Sequence, residues 1–471
     1  MKVLLTGANG YIGRRLKSLL ILEKDINLRI FVRNKEKLSK NILDNYEVIE
    51  GDTFNKEALA EALSGIDTAY YLIHSLNKDN YKVLDNKSAE NFIQIASDCG
   101  VKRVIYLGGL GVKNDFTSQH LLSRIETGEI LSSCSSVQTI WIRAGVIIGS
   151  GSASFEIIRN LVEKLPLMIT PKWVNTYAQP IAIDDVMNYL VSSLYLEYRK
   201  NIIVDVGSTK MRYKDMLLKT ATALELKRYL IAVPFLSINF SSYWLNLITP
   251  VPYKVAKVLI EGLKSEVTIQ NNNAKEYYPQ IKPIGYIEAV IKAVIEIEQN
   301  QVLSRWSDTD DTTWDVNHIN QINDAIYVDR KEVNISSFDK SKIFKSITSI
   351  GGENGWFSYT FLWKIRGAID KVFGGVGLSR GRRDHSNLRL GDCLDFWRVV
   401  DIKENERLLL FAQMKLPGLA WLEFKIDGDK LIQSAYFYPK GILGRIYWYI
   451  LIPLHYFIFK NMINSILKKS S

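Results

Sequence analysis

The run Thr6-Gly7-Ala8-Asn9-Gly10-Tyr11-Ile12-Gly13 is the first stretch of this chain whose residue types and spacing could do chemistry, by holding a pyrophosphate. It follows a short apolar segment and opens an amphipathic one. Gly7 permits a tight turn, Gly10 removes a side chain where backbone approaches phosphate, and Gly13 lets the next helix pack closely. Unpaired N–H groups and the helix dipole then favour the anion. Downstream, Phe31-Val32-Arg33-Asn34-Lys35 places a base where an NAD site usually carries an acid for the ribose 2′-hydroxyl. Arg33, with Lys35 and Lys37 nearby, suits a 2′-phosphate, so NADP(H) is expected in preference to NAD(H). The alternative for Arg33 is a solvated basic turn. Gly51-Asp52-Thr53 offers a carboxylate that could accept from an adenine amino group or cap the helix that follows.

The elements that must position these groups are legible as pattern. Apolar runs at 2–6, 28–32, 47–49, 69–73, 104–107 and 139–142 read as strands. Amphipathic stretches between them, including 11–22, 56–63, 88–97 and 121–132, read as helices. Such alternation indicates an α/β fold, a Rossmann-type doubly wound parallel sheet covered on both faces. From 150 to 300, helices at 154–164, 183–195, 213–223 and 286–299 suggest an extension on the substrate side of the sheet. The polar, acidic stretch 301–322 is the expected linker, dividing residues 1–300 from 323–471. Beyond it, a strand at 325–335, a helix at 339–346, strands at 388–400, 406–414, 418–426 and 430–437, and an apolar helix at 442–468 predict a second, α+β domain.

Composition limits the function classes. The 471 residues carry a formal charge of +10, but 60 basic and 50 acidic residues are interspersed. No groove-reading motif accompanies the charge, so no nucleic-acid partner is expected. Cys99, Cys134 and Cys393 are too scattered for a disulfide framework or a CxxC site, and no metal is expected. The opening apolar run is too short for a signal peptide, which predicts a cytoplasmic protein.

The loop TGANGYIG, the VRN turn and the EGD segment resemble the extended and atypical short-chain dehydrogenase/reductase superfamily, close to its NmrA-like branch. VIYLGGLG (104–111), IRAGVIIGSGSASFE (142–156), TPKWVNTYAQPIAIDDV (170–186) and SSYWLNLITPVP (241–252) are similar to a bacterial subfamily of NAD(P)-binding proteins. GGENGW (351–356) and FYPKGILGRIYWYILIPLHYFIF (437–459) resemble that subfamily's C-terminal domain of unknown function, related to the SRPBCC (START-like) helix-grip fold. The resemblance implies pyrophosphate contacts from Gly7, Gly10, Tyr11, Ile12 and Gly13, and adenosine-side contacts from Arg33 and Asn34. It implies that Asp52 and Thr53 flank adenine, that Leu72, Ile73 and His74 border the ribose, and that Gly108 and Gly109 face the nicotinamide.

Most of that superfamily uses a YxxxK pair, and this chain has none after its fifth strand. Gly108 and Gly109 also stand where the usual Ser would be. The helix there carries His120 and Arg124 at i, i+4 spacing, on one face. In one reading His120 donates the substrate proton and Arg124 holds ribose or phosphate, an imidazole being suited to acid–base work near neutrality. In another, catalysis falls to other groups. In a third, the site is degenerate and the protein binds dinucleotide without turnover.

In the C-terminal half, Trp356, Phe357, Tyr359, Phe361 and Trp363 could line a helix-grip cavity or form ordinary core. Arg380, Arg382, Arg383, His385 and Arg389 could hold an anionic headgroup or form a solvated loop. Residues 446–459 are strongly apolar but interrupted by Pro453 and His455, and shorter than the roughly 20 residues of a spanning helix. They are read as the buried last helix, while its aromatics and Lys468-Lys469 leave room for peripheral membrane contact. The combined expectation is an NADP(H)-binding oxidoreductase acting on a small apolar or lipid-like carbonyl or enone. Its rivals are a non-catalytic NADP(H) sensor or scaffold and a membrane-peripheral lipid binder.

Overall fold

The structure is a computed structural model of the chain. It describes all residues except 36–37, 39, 75–79, 114–116, 234–256, 258–260, 263–264, 300–301, 304–321, 323–324, 373–374, 376, 378–381, 383–387 and 471. The segment 241–252, most of the expected linker, and Lys37, Arg380, Arg383 and His385 therefore lie outside the described residues. The chain divides into two compact units with the boundary between Thr309 and Asp310.

The first unit is built on seven parallel strands: β1 (Lys2–Thr6), β2 (Asn27–Val32), β3 (Glu47–Glu50), β4 (Thr68–Tyr71), β5 (Arg103–Gly109), β6 (Gln138–Ala144) and β7 (Ile202–Val206). Their order across the sheet is β7-β6-β5-β4-β1-β2-β3. Alternate residues of each apolar run feed opposite faces. Val3, Leu5, Ile30, Tyr70 and Ile105 enter one core, and Leu4, Phe31, Ala69, Tyr71 and Val104 enter the other. This is why the strands are apolar throughout instead of alternating with polar residues. The faces are covered by α1 (Tyr11–Leu20), α2 (Lys56–Leu63), α3 (Tyr81–Asp98), α4 (Gln119–Leu131) and, after α5 (Ala153–Lys164), α6 (Ile183–Ser192); α5 packs instead with α7 (Tyr213–Ala223) and α8 (Tyr286–Glu298) around separate clusters. α8 is tied back to α1 by a buried network. The Arg15 guanidinium donates to Glu296 at 3.0 Å and to the Ser150 hydroxyl at 2.6 Å, and that hydroxyl donates in turn to Glu296.

The second unit is a six-stranded, largely antiparallel sheet of β8 (Tyr327–Asn334), β9 (Cys393–Leu394), β10 (Trp397–Lys403), β11 (Arg407–Ala412), β12 (Gly418–Asp427) and β13 (Lys430–Pro439), in the order β8-β13-β12-β11-β10-β9. With it go α9 (Lys340–Thr348), α10 (Thr360–Val372) and α11 (Gly441–Ser470). The single strand expected at 388–400 is interrupted. Asp395 adopts φ 54° between β9 and β10, and its carboxylate accepts from the Trp356 indole at 2.8 Å and the Gly352 N–H at 3.3 Å. The aromatic stretch is divided by burial: Trp356 and Trp363 stack in the core with Phe396, whereas Tyr359 and Phe361 are exposed. Arg382, expected on a solvated loop or at a headgroup, is buried and donates to the Ile350 carbonyl at 2.9 Å.

The last helix corrects the reading of 446–459 as buried. It runs unbroken through Pro453 for 30 residues, long and apolar enough to cross a membrane by length and composition. Its C-terminal half is anchored in the core through Ile458, Phe459, Met462, Ile463 and Ile466, whereas in the N-terminal half only Gly444 and Trp448 are buried. Most large apolar side chains between Ile442 and Phe457 are exposed.

Candidate active site

In an open α/β sheet the ligand crevice opens at the carboxyl ends of the strands where the winding reverses. Here that point lies between β1 and β4. The two strand ends are joined there by Thr6, whose hydroxyl donates to the Tyr70 carbonyl at 2.8 Å and accepts from the Leu72 N–H at 3.2 Å. Gly7 follows at φ 67°, and a Cβ on it would lie 2.5 Å from the Leu72 carbonyl oxygen. Only glycine fits that turn. A Cβ on Gly13 would lie 2.1 Å from the Gly7 oxygen, so α1 packs directly on the loop. Gly10 stands at the N-cap without a side-chain cap, and the first turn has no acidic residue. The positive end of the helix is thus unopposed by a carboxylate, which fits a pyrophosphate. Ile12 packs against the core of the same face, and the Tyr11 hydroxyl is buried against Gly149.

Around the adenosine-side residues, the Asn9 amide donates to the Asn34 carbonyl at 3.4 Å, joining the glycine loop to the end of β2. Arg33 keeps surface open to solvent, but burial lowers it from the usual guanidinium range, opposed by the Asp52 charge at the neighbouring strand end. Asp52 accepts from the Phe54 N–H at 2.8 Å and the Asn55 N–H at 3.2 Å, closing the turn before α2. The cap itself is Asn55, which accepts from the Ala58 N–H at 3.0 Å. Thr53 turns inward, its hydroxyl 2.7 Å from that of Ser88.

At the end of β5, a Cβ on Gly108 would meet the Trp141 indole nitrogen at 2.3 Å, and one on Gly109 would meet Leu121 at 2.7 Å. Packing explains why no serine stands here: the neighbouring side chains already fill its place. The Arg124 guanidinium donates to the Leu107 carbonyl and lies over the Tyr106 ring, so its charge sits against β5.

The helix pair α3–α4 brings together residues far apart in sequence. His74 Nδ1 lies 2.6 Å from Asp85 Oδ2, and His74 Nε2 lies 3.3 Å from His120 Nδ1. The Ser123 hydroxyl donates to the same Asp85 oxygen at 3.2 Å. Asp85 is 2 % exposed, whereas His74 and His120 are half-buried. Burial holds His120 well below the usual imidazole range, with the His74 ring and Arg124 adding to the effect. Burial lowers His74 too, against the opposing pull of its bond to Asp85.

The pairing assigns the tautomers. A carboxylate only accepts, so His74 donates through Nδ1 and its Nε2 is an acceptor. His120 then donates through Nδ1, which leaves its Nε2 lone pair directed away from the pair. The result is an Asp–His–His chain ending in an imidazole base. Sequence reasoning found His74 and His120 separately but missed Asp85 and Ser123. The available signal was an acid within the apolar face of α3, between Leu84 and Ala89.

Comparison with known proteins agrees with the fold. Residues 7–133 match the family described as NAD(P)H-binding, and residues 321–462 match one described as a protein of unknown function, DUF2867. A curated relative, an uncharacterized sugar epimerase of Bacillus subtilis (strain 168), is 33% identical over 118 residues, 24% of this chain. The match spans only 55% of that relative's length. Among solved structures, a nucleoside-diphosphate-sugar epimerase from Staphylococcus aureus matches with TM-score 0.51 at 17% identity, over 62% of this chain and 100% of that one. A triphenylmethane reductase of Citrobacter sp. in complex with NADP(H) matches with TM-score 0.50 at 17% identity, over 62% of this chain and all of that one. The first unit therefore carries the NAD(P)-binding fold of epimerases and reductases.

Proposed function

We propose that this NAD(P)-binding chain is an NADP(H)-dependent oxidoreductase that interconverts an apolar carbonyl or enone with its reduced form, using His120 in place of the missing tyrosine. The observation that carries the reading is the Asp85–His74–His120 chain beside the β1–β4 crevice. A protein that only binds dinucleotide has no need of a base oriented by two further groups, which is the arrangement that activates catalytic imidazoles elsewhere.

The bound dinucleotide would supply or accept the hydride. The rest falls to the chain's own residues. In oxidation, His120 Nε2 takes the proton of the substrate hydroxyl while His74 and Asp85 stabilise the imidazolium. In reduction, that imidazolium returns the proton to the carbonyl oxygen. Burial keeps His120 unprotonated near neutrality and makes its imidazolium the stronger acid, so proton donation to the carbonyl is the easier step once the ring is charged, and reduction gains as pH falls. Arg33 supports the choice of NADP(H), as does the reductase of the same fold that holds it. The second unit, a sheet with one long helix across it, fits a START-like domain that delivers or screens an apolar substrate.

The test is NADPH oxidation against a panel of apolar aldehydes, ketones and enones, with wild type and His120→Ala. Loss of about 10²- to 10⁴-fold in turnover is expected for the variant. Full hydride transfer by His120→Ala would sink the role given to that residue.

A further inference from the structure

We infer that the N-terminal half of α11 is a docking surface for an anionic lipid bilayer, lying in its interface and not crossing it. One narrow face of this half is seated on the sheet of its own unit. Trp448 stacks against Phe437, centroids 5.6 Å apart, and against Tyr327, at 5.4 Å. A Cβ on Gly444 would lie 2.3 Å from the Pro417 oxygen, so the backbone is pressed against β12. Most of the remaining circumference, Arg445 apart, is apolar and open to solvent. Ile442 is 76%, Leu443 73%, Ile450 67% and Phe457 59% exposed, with Ile446 and Tyr449 between them. Helical spacing puts Ile442, Ile446, Tyr449, Ile450 and Phe457 on one stripe. A contiguous apolar surface of this kind marks an interaction site.

Charge selects the occupant. The exposed charges on α11 are Arg445, Lys460, Lys468 and Lys469, with Lys440 just before it, and the helix contains no carboxylate; on the neighbouring β8, Asp329 acts on His455 and is paired with Lys331 at 2.6 Å. α10 repeats the pattern. Phe361, Ile365, Ile369 and Val372 form an exposed row beside Lys364, while its one acid, Asp370, is buried and accepts the N–H groups of Gly377 and Lys415. Apolar side chains bounded by tyrosines and bases, with no acid exposed on either helix, are complementary to acyl chains beneath anionic headgroups. A second copy meeting this face about a two-fold axis would set like charges against like.

Geometry fixes the depth. Residues 442–457 span about 24 Å as helix, short of the roughly 30 Å hydrocarbon core. The rest of α11 is committed to the core through Met462 and Ile466.

The experiment is co-sedimentation of the full chain with vesicles of phosphatidylcholine alone or with about 30 mol% phosphatidylglycerol. Wild type should pellet with the anionic vesicles, be released by about 0.5 M salt and be extracted by alkaline carbonate. Ile446→Glu combined with Ile450→Glu should reduce binding at least roughly tenfold, while circular dichroism and the NADPH thermal shift stay as in wild type. Wild type left in the supernatant, or equal binding by the variant, would overturn the proposal. So would binding that resists carbonate, which would make α11 a span, or a wild-type dimer that the variant abolishes, which would make the surface self-associating.

Discussion

Asp85 decides what His120 can be. A carboxylate 2 % exposed, held by His74 at 2.6 Å and Ser123 at 3.2 Å, fixes one imidazole tautomer and through it the next. Asp85→Asn would present an amide that can donate to His74 and reverse both tautomers. Turnover is expected to fall by about 10²- to 10⁴-fold with little change in NADPH affinity, which steady-state kinetics and a binding titration separate. Gly108 makes a different point at the same scale. Restoring the serine usual at this strand end would push a side chain into Trp141, 2.3 Å from the new Cβ. Gly108→Ser should destabilise the chain by about 1–3 kcal/mol, read by denaturant unfolding, and should not raise activity. Of this site, the sequence displayed His74 and His120 but no relation between them. They meet because β4 ends and α4 begins at the same edge of the sheet, and that is a property of the winding.

Between elements, the break at Asp395 couples the GGENGW turn to the sheet. Burial raises the Asp395 carboxyl to about 6, partly offset by its bonds from Trp356 and Gly352. The folded chain therefore keeps a proton that the unfolded chain sheds near pH 4. Stability from this group is full below that pH and falls as pH rises through about 6. His455, which burial lowers to about 4, acts in the opposite sense, since the unfolded chain gains its proton first as pH falls. The difference between wild type and Asp395→Asn isolates the carboxyl. Between pH 4 and 6 the wild type should lose up to about 3 kcal/mol relative to the variant, measured by thermal unfolding at each pH. No change in that difference would remove the buried, proton-holding role. The strand expected at 388–400 could not be seen to break at Asp395, because a positive φ on Asp leaves no mark in hydrophobic pattern.

For the molecule as a whole, the two units have separate cores, and the nucleotide stabilises the one that holds it. NADPH at a hundred times its Kd should add about 2.7 kcal/mol to wild type, visible as a raised unfolding transition. Arg33→Asp should lose most of that gain and acquire one from NADH. A wild type that responds more to NADH than to NADPH would refute the 2′-phosphate assignment. The exposed apolar half of α11 also belongs to this scale, since no property of residues 442–457 alone says which side of the helix the sheet covers.

The glycine loop, the strand–helix alternation and the base at Arg33 were determined by the sequence alone, because each rests on local geometry or on a period of two or 3.6 residues. The turn at Gly7 needs φ 67° wherever it is placed, and an apolar strand run is read without knowing its neighbours. The histidine chain and the uncovered face of α11 were decided only by the tertiary structure. Both depend on which distant segments are brought within a few ångströms: Asp85 onto His74 in one case, Phe437 and Tyr327 against Trp448 in the other.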